Sequence, residues 1–161
     1  MLRVRRRNDG SLSLSFPPRE ALLLQTLPGQ LRALLEDPDF TDRAVERLFP
    51  PAYDDPEKEA EYRKLLGDDL RRRKLDCVDA FEATLRDSRT GIRGVEVTIK
   101  PEEFALWLGF VNDMRLVLGA KLDIQDDDWC RDFEPAAAGS PELALLHYLS
   151  WLEEELLRSA K

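Results

Sequence analysis

Residues 95–122, VEVTIKPEEFALWLGFVNDMRLVLGAKL, decide how the rest of the chain is read. Val95, Val97 and Ile99 alternate with Glu96, Thr98 and Lys100. That is the period of a strand with one buried face. Lys100-Pro101-Glu102-Glu103 then reads as a helix start, with proline at the first helical position and acids beside the positive end of the dipole. The helix that follows is almost wholly apolar apart from Gly109, Asn112, Asp113 and Arg115. A half-buried strand feeding a buried helix predicts an α+β fold with polar chemistry set into an apolar element.

Working outward, residues 2–16 read as a β-hairpin. Leu2 and Val4 alternate with Arg3, Arg5 and Arg7, and Leu12, Leu14 and Phe16 alternate with Ser11, Ser13 and Ser15. Val4 and Leu14 share a face only if the turn holds an odd number of residues, so Asn8-Asp9-Gly10 forms a three-residue loop with Gly10 left-handed. The arginines then face the serines on the outer side. An isolated hairpin is marginal in water, so the 95–99 segment is expected as a third strand, with Glu96 pairing across to the arginine row.

The remainder is helical. Pro17-Pro18 opens a helix through Leu24, and Leu27-Pro28-Gly29 is expected to break it before a second piece over Gln30–Leu35. Thr41 is the expected cap of a short helix ending near Leu48. Asp55 and Pro56 start a long helix to about Asp87. Ser140-Pro141 starts the last one, with Leu145, Leu149, Leu152 and Leu156 as its stripe. The predicted architecture is a single domain over residues 1–161: mainly a helical bundle, carrying a small three-stranded antiparallel sheet.

Composition narrows the function. The chain has 161 residues and a net charge of -8, so its mean field repels phosphate and anionic lipid. No apolar run is long enough to span a bilayer, and no apolar stretch follows the basic start. With only Cys77 and Cys130, no disulfide framework is implied, and a cytoplasmic protein is expected. The single histidine, His147, removes most zinc and triad arrangements. Asp126, Asp127 and Asp128 lack calcium-loop spacing, and no glycine-rich phosphate loop is present. Neither a metal nor a cofactor is expected.

Four sets of residues remain. Cys77 lies on an apolar helix stripe and reads as a core thiol. Cys130 lies in a polar loop beside Arg131 and reads as the reachable one, and together they are the candidate redox pair. Arg3, Arg5 and Arg7 with Arg71, Arg72, Arg73 and Lys74 form the candidate basic surface. Carboxylate-paired, solvated faces are favoured there over nucleic-acid binding. Gly109, Asn112, Asp113 and Arg115 form a candidate polar network or binding site, with the basic cluster of the long helix expected to meet Asp113.

The segments Arg47-Leu48-Phe49-Pro50-Pro51-Ala52-Tyr53 and Gly67-Asp68-Asp69-Leu70-Arg71 carry a resemblance, as do Trp107-Leu108-Gly109, the run from Asn112 to Gly119, and Tyr148-Leu149-Ser150-Trp151-Leu152. In that order, over nearly the whole chain, they are similar to a bacterial family first catalogued as a domain of unknown function. Its actinobacterial members include an oxidative-stress regulator of transcription. The resemblance implies a non-enzymatic regulatory protein acting with a protein partner such as a sigma factor or RNA polymerase, and a response to oxidants through thiols. No cysteine occurs before Cys77, and neither cysteine falls on a family thiol motif. Family genes lie near a Clp protease adaptor, so an adaptor role is the alternative, as is a small enzyme with an acidic site at Asp113. A homodimer is left open.

Overall fold

A computed structural model describes residues 2–124 and 140–161. Its elements in chain order are β1 (Arg3–Arg6), β2 (Leu12–Phe16), α1 (Pro18–Glu36), α2 (Arg43–Leu48), α3 (Pro56–Arg86), β3 (Arg89–Gly91), β4 (Gly94–Ile99), α4 (Pro101–Lys121) and α5 (Pro141–Ser159). The fold is α+β and mainly helical, as expected.

The sheet has four strands in the order β1-β2-β4-β3, not three. The hairpin register follows the parity argument. Arg3 lies opposite Ser15 and Arg5 opposite Ser13, while the Arg7 amide donates to the Ser11 carbonyl at 2.8 Å. Gly10 closes the loop with φ of +86°. β4 pairs with β2, so Glu96 sits opposite Ser15 on one side and Arg89 on the other. The arginine row lies a further strand away, which corrects the expected pairing with Glu96. The unexpected strand, β3, is short, exposed and polar, and hydrogen bonding to β4 alone defines it.

α1 runs unbroken through Pro28. A proline inside a helix forfeits a backbone bond and costs ~3 kcal/mol. Here Leu24, Leu27, Leu31 and Leu35 are fully buried along the same face, and that burial holds the helix together. The cap of α2 is Asp42, whose carboxylate accepts from the Ala44 amide at 2.8 Å; Thr41 instead bonds Asp39. Asp55 caps α3 as expected, accepting from Glu57. On α5 the fully sealed leucines include Leu149, Leu152 and Leu156, whereas Leu145 is half-buried.

α4 is the hub. It packs against α2, α3 and α5, and buries Trp107, Phe110, Val111, Met114 and Val117. Phe81 of α3 stacks on Phe110 with ring centres 3.9 Å apart and lies 4.4 Å from Trp107. The core therefore seals one face of the sheet, leaving Arg3, Arg5, Glu96 and Thr98 on the exposed face.

Candidate functional site

The polar group of α4 does not form one site. Asp113 points toward α3, where Lys74 donates to it at 2.7 Å, so the basic cluster does meet Asp113, through that one residue. The two side chains are only 6% and 16% exposed. Burial pushes the Asp113 carboxyl above the usual carboxylate range, and Lys74 offsets only part of that. Arg115 points the other way, donating to Ser150 at 3.0 Å and to Glu153 of α5. Asn112 lies exposed on the outside. The expected face is thus divided between two helix contacts and solvent.

Gly109 is the close-approach point. A Cβ there would sit 3.0 Å from Cys77 Sγ, so α3 and α4 touch through a glycine and a thiol. Burial raises the Cys77 thiol pKa, and the Asp113 carboxylate raises it further. A raised pKa disfavours the thiolate, which is the nucleophilic form of the group. Cys130, its expected redox partner, lies outside the described residues, as do Asp126, Asp127 and Asp128. His147 is exposed on α5. Among the described residues no group of His, Cys, Asp and Glu could hold a metal ion, and no helix is long and apolar enough to cross a membrane.

The basic residues of α3 are largely paired. Arg71 meets Asp68 at 3.8 Å, Arg73 meets Asp69, and Lys74 meets Asp113. They stand apart from the sheet arginines: Arg71 precedes Thr84, which borders the sheet hollow, by a helical distance of roughly 20 Å. The two clusters do not merge into one surface.

An open apolar cleft lies outside the candidates read from the sequence. The first half of α3 contributes no buried side chain; Val78 is the first. Between that half and the segment entering and leaving α2 lies a cavity of about 320 Å³, lined by Phe40, Phe49, Tyr62, Leu66 and Leu70 with Arg63 and Arg71 at its rim. Phe40 and Leu66 are about half exposed, whereas Leu65, next in sequence to Leu66, does not line the cavity and is 70% exposed. The walls are tied together by polar contacts. Arg63 stacks over the Phe40 ring at 4.6 Å, binds Glu59 at 3.0 Å and donates to the Phe49 carbonyl at 3.3 Å. Glu59 accepts from the Ala52 and Tyr53 amides at 2.8 and 2.9 Å, fixing the loop before α3. Burial raises the Glu59 pKa, but those amides and Arg63 outweigh it and hold the carboxyl below its ordinary range. Phe49 and Pro50 come from one segment that carried the resemblance, and Gly67, Asp68, Leu70 and Arg71 from another. The two segments meet at this cleft.

The chain belongs to the family described as a domain of unknown function, DUF2017, which matches residues 1–160. No curated protein and no solved structure matches it.

Proposed function

We propose that this chain is a cytoplasmic, non-enzymatic regulatory protein that acts by contact with a protein partner, and that the cleft beside α3 is its docking surface. One observation carries the reading: Phe40 and Leu66 stand about half exposed in the lining of a cavity, with Tyr62 partly exposed between them, and the cavity walls are already braced. A braced apolar groove with charged rims suits an amphipathic helix laid along it. The resemblance to oxidative-stress regulators supplies the class of partner, a sigma factor or an RNA polymerase subunit.

Asp113 has a structural part in this reading. Its carboxyl is nearly sealed and already engaged by Lys74, so it fixes the register of α3 against α4. Cys77 is a packing atom at the same crossing.

The test is a pull-down with the full chain and with Leu66→Glu. Leu66 is about half exposed, so the variant folds. Recovery of a sigma factor or polymerase subunit by the wild type, reduced about tenfold or more by the variant, supports the reading; tenfold corresponds to ~1.4 kcal/mol. Recovery of neither overturns it. Recovery of a Clp component in their place transfers the cleft to a proteolytic adaptor.

A further inference from the structure

The exposed sheet face poses a separate question, independent of the cleft. Register stacks Arg3, Ser15, Glu96 and Arg89 in one row across the four strands, and Arg5, Ser13 and Thr98 in the next. Residues paired across a sheet project to the same side, so this face is a field of arginines and small hydroxyls with Glu96 as the only acid in these rows. The ion pairs of the described residues involve none of Arg3, Arg5 or Arg7. This differs from α3, where carboxylates have claimed Arg71, Arg73 and Lys74. A hollow of about 420 Å³ opens among Arg5, Arg6, Arg7, Asn8, Ser13 and Glu96. A second, of about 360 Å³, adjoins it through Arg7 and Glu96, and is lined also by Arg89 and Lys100 with Asp87 and Glu103.

We propose that this sheet face binds the phosphate backbone of a nucleic acid, without reading its sequence. Alternate residues of a strand lie ~6.8 Å apart, a spacing that suits successive phosphates along a backbone. Arg3, Arg5 and Arg7 thus present one guanidinium fork per phosphate, and Ser13 and Thr98 add hydroxyl donors of the kind that position a backbone. In a chain of net charge -8, a concentrated cationic face confines the contact to one orientation. Arginines on an edge strand also prevent pairing with a second copy. That role alone would give no nucleic-acid binding.

Fluorescence anisotropy of the full chain with a labelled DNA duplex of about 20 base pairs tests the proposal. Neutralising about three phosphates predicts that affinity falls about 40-fold between ~50 and ~200 mM salt. Arg3→Gln/Arg5→Gln/Arg7→Gln should lose about tenfold or more, while Arg71→Gln/Arg72→Gln/Arg73→Gln should stay within about twofold. Arg5→Lys, which keeps the charge, should retain most of the binding and separates charge loss from misfolding. No binding at low salt overturns the proposal, and so does equal loss in both triple variants. Displacement of the duplex by polyglutamate at equal charge concentration also overturns it, and assigns the face to an acidic peptide instead.

Discussion

The two halves of α3 share one helix and have opposite fates. From Lys74 onward the helix is anchored: Val78, Phe81 and Leu85 enter the core, Lys74 meets Asp113, and Arg32 of α1 clasps Asp79 and Glu82 at 2.9 Å each. Before Lys74 no residue is fully buried, Leu70 is packed only partly against the core, and Leu65 and Leu66 face outward although they are as apolar as anything in the core. Intrinsic propensity does not explain the difference, since both halves are helical. α4 backs the second half, whereas a cleft lies beside the first. The lesson is that the anchored half provides rigidity and the open half provides a surface, so mutations in the two should separate stability from binding.

The largest break in this comparison is Phe81→Ala. It should cost ~3–5 kcal/mol in denaturant unfolding, because the ring is fully buried and stacked. Asp113→Ala comes next, at about 2–3 kcal/mol, because it strands a mostly buried ammonium. Adding Lys74→Met to it should recover part of that loss. A full loss in the double variant would place the cost in packing rather than charge.

The pH dependence is smaller and has a definite sign. Burial, offset only in part by Lys74, makes the folded pKa of Asp113 higher than the unfolded one. A carboxyl of this kind contributes its stability below its unfolded pKa and loses it as pH rises through the folded value. The stability of wild type minus that of Asp113→Asn should therefore fall as pH rises from about 4, then level off. A difference that grows with pH would show that Lys74 outweighs burial.

In the open half, Glu59→Ala should release the Ala52 and Tyr53 amides, read as faster hydrogen exchange there while the core protection of α4 stays unchanged. Leu65→Ala should have the smallest effect, within about 0.5 kcal/mol, since the side chain is 70% exposed.

Much of the anchored region was legible in the sequence. The period-two rule and Gly10 set the hairpin loop and its register, because one buried face leaves a single parity open. Asp55-Pro56 announced α3, and Pro101 announced α4. β3 stayed hidden because Arg89-Thr90-Gly91 has no buried face and hence no alternation. Pro28 misled because a local penalty was visible and the burial of Leu24, Leu27, Leu31 and Leu35 was not. The Asp113–Lys74 contact could be anticipated from charge, but the outward turn of Asn112 and the opposite direction of Arg115 depend on which helices flank α4. The cleft was the least legible feature. Leu66 is as apolar as a core residue, and the path of the chain around α2 leaves it lining the cleft about half exposed.

The open half of α3 is proposed to dock a protein of the transcription apparatus. Hydrogen exchange of the full chain with and without RNA polymerase holoenzyme tests it most directly. The account predicts new protection over 38–50 and 59–71, with the exchange of α4 unchanged. No new protection, or protection that bypasses Phe40, Tyr62 and Leu66, would contradict it.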